Sequence, residues 1–189
     1  MIEALILIDI QQGFDDPFWG QRNNPEAEEN AAMLLENWRA RRAPILHVRH
    51  MSDTPTSPLF PGQPGNNFKD IVAPIAGEQI IEKSVNSAFI GTDLLSRLRD
   101  AKITDLVICG ISTPHCVSTT SRMAANLGFN VRLAEDACAA FTSGGDMSWK
   151  EGATTPDPQI IHDMAVSNLH GEFLTAQQTQ TVLSSRANG

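Results

Sequence analysis

The sequence predicts an α/β fold, a mostly parallel sheet covered by helices on both faces. Two observations carry this. Short apolar runs without polar alternation, such as Ala4–Ile8, mark strands buried on both faces. These runs alternate with segments of helical periodicity, the strand–helix–strand rhythm that generates parallel sheets. A third observation concerns chemistry: the run Leu106-Val107-Ile108-Cys109 ends at Gly110, and a turn delivers Cys116 to the predicted start of a helix. That is the carboxyl edge of the sheet, where open α/β folds bind ligands.

Ala4–Ile8 is the first strand. Asn24–Arg41 reads as a helix: Asn24 can cap it, Pro25 suits its first turn, and Ala31, Leu34, Leu35 and Trp38 recur at helical spacing. Pro44–Val48 is the second strand. Residues 51–78, rich in Pro, Gly, Asn and Ser, form a long surface excursion, either a lid or a contact with a neighbouring chain. Gln79–Glu82 is a short strand and Thr92–Asp100 a helix capped by Thr92. Asp105–Cys109 is the central strand, and Thr113–Leu127 the helix carrying Cys116, ended by Gly128. Asn130–Ala134 is a further strand. A second loop, Phe141–Pro156, leads to a helix near Asp157–Leu169, a short strand at Glu172–Leu174 and a final helix. No repeat or interdomain linker interrupts the series, so residues 1–189 form a single domain. At this length about 70% of the unfolded surface is buried on folding.

Hydrophobic residues make up 41% of the chain and charged residues 19%, and the net charge is −8. Without a basic stripe to neutralise phosphates, nucleic acid is not an expected partner. Arg39, Arg41 and Arg42 do cluster, but at a helix end, where cations suit the dipole. The N-terminal apolar run is far short of the roughly 20 residues that span a bilayer, and it carries no basic leader or cleavage site. A cytoplasmic protein without membrane association is expected. The three cysteines, Cys109, Cys116 and Cys138, lack metal-ligand spacing and are expected to be reduced, with Cys109 and Cys138 packed in the core.

Three chemically competent side chains fall where predicted strands end. Asp9 follows Ile6-Leu7-Ile8, Lys83 follows Ile80-Ile81-Glu82, and Cys116 follows the central strand by a short turn. In a parallel sheet these ends share one edge, so the three can converge. Asp9 can accept the thiol proton, Lys83 can stabilise thiolate and carboxylate, and Cys116 can attack a carbonyl. Burial beside an ammonium at a helix start is expected to lower the Cys116 pKa. Taken singly, each residue also has a plain structural reading: a turn aspartate, a solvated lysine, an inert core cysteine.

Four segments reinforce the grouping: Leu7-Ile8-Asp9-Ile10-Gln11-Gln12-Gly13-Phe14, Lys83-Ser84-Val85-Asn86-Ser87-Ala88-Phe89-Ile90-Gly91-Thr92-Asp93-Leu94, Gly110-Ile111-Ser112-Thr113-Pro114-His115-Cys116-Val117, and Glu135-Asp136-Ala137-Cys138-Ala139-Ala140. In this order they resemble the motifs of the isochorismatase-like cysteine hydrolases, a superfamily that includes nicotinamidases. The match runs from residue 4 to about residue 174. The resemblance implies a three-layer α/β/α sandwich with a doubly wound sheet and a catalytic triad of Asp9, Lys83 and Cys116. It also implies a non-proline cis peptide between Ile111 and Ser112, and an oxyanion hole formed by the Ser112 and Cys116 backbone N–H groups. No cofactor is implied; a small-molecule substrate and a homodimer or larger homo-oligomer are.

The chain departs from the nicotinamidase pattern after its second strand. Where nicotinamidases carry an Asp-x-His pair and a further His for a divalent metal, it has His47-Val48-Arg49-His50-Met51-Ser52-Asp53. His47 and His50, three apart on a strand, face opposite sides, so no metal site is expected and nicotinamide is disfavoured as substrate. His50 is expected near ligand, and His47 in the core or against a helix. Phe14 and Phe89, both inside the motifs, are expected to wall the pocket. The expected activity is cleavage of a C–N bond in a small amide, ureide or lactam through a Cys116 thioester. Two alternatives stay open: vinyl ether hydrolysis of the isochorismatase type, with Asp9 as acid, and a non-catalytic binding role. No carrier domain appears before Gly189, which disfavours a bifunctional siderophore-pathway protein.

Overall fold

In a computed structural model of the protein, which describes residues 2–185, six strands form one parallel sheet. The strands are β1 (Ile2–Ile8), β2 (Ile45–His50), β3 (Gln79–Lys83), β4 (Ile103–Ile111), β5 (Asn130–Ala139) and β6 (Thr175–Gln177), in the order β3-β2-β1-β4-β5-β6. The helices α1 (Ala27–Ala40), α2 (Leu94–Asp100), α3 (Ser118–Asn126), α4 (Pro158–Ser167) and α5 (Thr179–Ser184) flank it. The architecture is an α/β sandwich. β1 is central and its residues Ala4–Ile8 are buried, as the unbroken apolar run requires. Ala31, Leu34, Leu35 and Trp38 form the buried stripe of α1.

The strand order reverses between β1 and β4, with β2 and β3 built outward on one side and β5 and β6 on the other. Such a switch point opens a crevice beyond the carboxyl ends of the two central strands. Asp9 stands at the end of β1, and the turn to Cys116 at the end of β4. Gly110 lets these two ends approach: its φ is +135°, and a Cβ there would lie 2.1 Å from the Ile8 carbonyl oxygen. Any other residue would force the strands apart just below the site.

Several boundaries differ from the sequence expectation. The last strand is Thr175–Gln177, not Glu172–Leu174; Leu174 instead makes an isolated bridge with His170. The Cys116 helix opens with a π-helical turn over Thr113–Val117 before α3 begins at Ser118. Asn24 does not cap α1; its side-chain N–H groups donate to the Glu135 and Cys138 carbonyls, tying the loop after β1 to β5. β4 and β5 both run longer than expected, to Ile111 and Ala139.

The 51–78 excursion is fastened at its middle and at its far end. Near its middle, buried Asn66 donates to the His50 and Leu59 carbonyls at 2.9 and 2.7 Å. At its far end, Glu78 accepts from Arg39, from the Ile75 N–H and from His47 Nε2, the last at 2.8 Å. Burial keeps the His47 imidazole neutral against the pull of Glu78, so its Nε2–H is the donor. Despite the cost of burial, these hydrogen bonds hold the Glu78 carboxyl down from 4.5 to about 2. A carboxylate with a depressed folded-state pKa stabilises the fold fully above its ordinary range and loses that contribution as pH falls toward 2. Glu78→Gln is therefore expected to cost about 1.5–3 kcal/mol at neutral pH by urea unfolding. The gap between wild type and variant should narrow steadily on acidification; a gap independent of pH would show that the charge does not act there.

Candidate active site

Asp9 ends β1 in a left-handed conformation, φ +52°, uncommon for a residue with a Cβ and costing about 1–2 kcal/mol. The kink is held by the Asp9 N–H donating to the Val48 carbonyl at 2.9 Å and by the Gln11 N–H donating to the Asp9 carbonyl at 2.9 Å. Lys83 ends β3, and its Nζ is fully buried. Its three donors have three acceptors: Asp9 Oδ2 at 2.6 Å, His50 Nδ1 at 3.1 Å and Cys116 Sγ at 3.3 Å. An ammonium with no acceptor capacity is thereby saturated. The second carboxylate oxygen, Asp9 Oδ1, is buried and has no hydrogen-bond partner among the described residues. It is the available acceptor beside the thiol.

His50 occupies the end of β2 between these groups. Because its Nδ1 accepts from Lys83, its proton resides on Nε2. Burial first, and then the Lys83 charge, lower its pKa, so the ring is neutral near physiological pH; Asp9 and Asp53 oppose that shift. His47, one pleat away on the other face, is buried against Glu78. One donor atom each of Asp9, His50 and Cys116 lies within 4.8 Å of the others, a grouping that could hold a metal ion. The Lys83 ammonium already donates to one atom of each, so the cationic position among them is filled by the protein itself.

Cys116 is only 8% exposed, and its thiol also reaches Asn86 Oδ1 at 3.8 Å. Its pKa corrects the sequence expectation. Burial foremost, and then the Asp9 carboxylate, push it up to about 12, although Lys83 pulls the other way. The expected lowering assumed that the cation and the helix start would dominate; the tertiary fold instead removes water and sets an anion beside the sulfur. The resting group is a neutral thiol. Titration of wild type by thiolate absorbance should accordingly show no thiolate from Cys116 at neutral pH, and a thiolate already present at that pH would contradict this geometry.

The peptide bond between Ile111 and Ser112 is cis. The Ser112–Cys116 turn is buttressed from α4: the Thr113 hydroxyl bonds buried His162 Nδ1 at 2.9 Å, and His162 Nε2 faces Glu135 at 3.4 Å. Phe14 joins an aromatic cluster with Trp19 and Phe141, ring centroids 4.8 and 5.8 Å away. Phe89 stacks on Phe129 at 6.1 Å. Cys109 and Cys138 are fully buried, and desolvation raises both thiols, Cys109 to about 12. Sequence reading missed Gln11, whose buried amide accepts from the His50 N–H and donates to the His50 and Asn66 carbonyls. The available signal was a polar side chain two residues after Asp9, at the end of a fully apolar strand.

An isochorismatase domain model matches residues 3–178, nearly the whole chain. The chain belongs to the isochorismatase family. It is a hydrolase, as members of that family are. The isochorismatase family protein YrdC of Bacillus subtilis is 44% identical over 182 residues, covering 96% of this chain and 95% of the relative. A crystal structure of an isochorismatase-family protein from Chromobacterium violaceum superposes with a TM-score of 0.93 at 44% identity, covering all of this chain and 95% of the other. A streptothricin hydrolase of Streptomyces noursei is 32% identical over 146 residues, 74% of this chain and 50% of that enzyme. No helix among the described residues is long and apolar enough to cross a membrane.

Proposed function

We propose that this isochorismatase-family chain cleaves a C–N bond in a small amide, ureide or lactam through a Cys116 thioester. The observation that carries the reading is the buried Lys83 ammonium, which donates at once to the Asp9 carboxylate and the Cys116 sulfur. As Sγ attacks the substrate carbonyl carbon, its proton passes to Asp9, so no free thiolate is needed. The S–C bond forms, and the carbonyl oxygen takes up negative charge opposite the Ser112 and Cys116 N–H groups. Collapse breaks the C–N bond while Asp9 returns the proton to nitrogen. Water then attacks the thioester, gives a proton to Asp9 and releases the acid, and Asp9 reprotonates the sulfur. Each proton transfer uses one carboxylate, and Lys83 keeps that carboxylate beside the sulfur throughout.

The neutral thiol supports this assignment. A group held at about 12 cannot ionise in advance at physiological pH, so proton removal must accompany attack, and Asp9 has a free oxygen to receive it. A relative named for hydrolysing streptothricin supports hydrolysis rather than mere binding. The test is ammonia or amine release from a panel of small amides, ureides and lactams, with Cys116→Ala measured beside wild type. Release by wild type alone is expected. Undiminished release by Cys116→Ala would remove the thioester step, and silence from both proteins would move the reading to vinyl ether hydrolysis with Asp9 as acid. Self-association remains part of the proposal: light scattering should give a multiple of 20.6 kDa, and a single-chain mass would end that part.

A further inference from the structure

We infer that the substrate is uncharged around its scissile bond and bears no carboxylate, an inference that rests on the thiol reading above. The structure assigns this through where its cations are. Lys83 is the cation that touches the nucleophile, and its three donors are all taken, by Asp9, His50 and the sulfur itself. Its charge is matched by the Asp9 carboxylate, so the pair presents no net positive charge to a ligand. Two imidazoles lie there: His50 is neutral while it accepts from Lys83, and burial lowers the pKa of His115, whose Nδ1 meets the Ser112 hydroxyl at 3.0 Å.

The surrounding loops add one exposed cation, Lys150, and Arg122 of α3 is turned away to the Asn168 carbonyl and the Phe173 ring. The segments 10–26, 51–70 and 140–157, which leave the carboxyl ends of β1, β2 and β5, carry eight acidic side chains against three basic ones. Two of those three are already paired. Arg22 grips Glu28 with both terminal nitrogens, and Lys69 is held between Asp15 and Glu28. The third, Lys150, lies exposed on the second loop, with no ion pair to a site residue. Arg49, next to His50 in sequence, pairs with Glu82 and lies over Phe68, on the opposite side of β2 from His50. Arg39, Arg41, Arg42, Arg97, Arg99 and Lys102 sit at the ends of α1 and α2 that feed back to the amino edge of the sheet. Asp53, by contrast, is exposed three residues beyond His50.

A carboxylate drawn into this site would lose its hydration without gaining a cation, a cost that buried ions avoid only by pairing. It would also approach through a field of acidic side chains. Isochorismate-type dianions are excluded on this ground, and so are amides with a carboxylate next to the reacting carbonyl. A neutral carboxamide or lactam meets what the site does offer: main-chain N–H groups and a neutral imidazole.

The test uses two alkylating reagents of nearly equal size and different charge, iodoacetamide and iodoacetate. Each forms an S–C bond at the thiol and expels iodide. Rates at Cys116 are read by peptide mass mapping of the full chain, and the iodoacetamide-to-iodoacetate ratio is divided by that of N-acetylcysteine. A ratio about tenfold or more above the free thiol is expected. Asp53→Asn should shrink that excess, and Lys150→Ala should leave it in place. An excess of one, or a preference for iodoacetate, would overturn the inference while leaving Cys116 as a reactive thiol. Modification of Cys109 or Cys138 before Cys116, or no modification of Cys116 by either reagent, would instead overturn the thiol reading and this inference with it.

Discussion

Asp9→Asn is expected to separate the reactivity of Cys116 from turnover. Hydrolysis should fall about 10²–10⁴-fold, because an amide can neither take the thiol proton nor return it to the leaving nitrogen. The thiol itself should become more acidic: after burial, the Asp9 charge is the largest influence raising its pKa, and the opposing Lys83 remains. Alkylation by iodoacetamide at neutral pH should therefore hold steady or accelerate in the same protein whose turnover has collapsed. Asparagine keeps an oxygen able to accept from Lys83, so the pocket geometry is largely preserved. Parallel loss of alkylation and turnover by the same factor would mean that Asp9 only positions the site. Raising the pH should recover part of the lost turnover in this variant, since solvent base can then ionise a thiol that no longer faces an anion.

The uncoupling is informative because the site combines two features that usually oppose each other. A thiol activated by prior ionisation needs net positive surroundings. Here the positive charge of Lys83 is balanced by Asp9 at 2.6 Å, and burial leaves sulfur protonated at rest. In the proposed reaction, activation comes from the motion of a proton to Asp9 during attack. Such a site gains little by attracting anions, which agrees with the acidic loops around it.

The grouping of the candidate site was legible in the sequence because it is a matter of strand ends. Asp9, Lys83 and Cys116 each follow a short apolar run, and a parallel sheet places such ends together irrespective of separation along the chain. The sign of the thiol shift was not legible. It depends on how completely loops exclude water and on which neighbour lies nearer the sulfur, and neither is written in the spacing of residues. Gln11 and Asn66 were hidden for a related reason: the Gln11 amide donates across 39 and 55 positions to the His50 and Asn66 carbonyls, and amides in Pro- and Gly-rich segments such as that of Asn66 ordinarily face solvent. The apolar signal of Phe173 and Leu174 points to a last strand three residues early, whereas the pairing backbone is the more polar Thr175-Ala176-Gln177. Strand pairing there follows the register with β5, not hydrophobicity.

Lys83→Met reverses the electrostatics and gives the complementary result. Asp9 would then be a fully buried carboxylate without its ammonium, and breaking one side of such a pair costs about 3–5 kcal/mol. The thiol should become harder to ionise, since Lys83 is the group that lowers its pKa. Alkylation of Cys116 should slow, opposite in direction to Asp9→Asn, and turnover should be lost in both. The double variant Asp9→Asn, Lys83→Met removes both charges and should regain most of the stability lost by Lys83→Met alone, while remaining inactive. Urea unfolding of the four proteins gives the coupling between the two groups, and alkylation rates give its effect on sulfur. If Lys83→Met were as stable as wild type and still turned over, the ion pair would be ornamental, and the proton path proposed for Asp9 would have no means of holding the carboxylate beside the thiol.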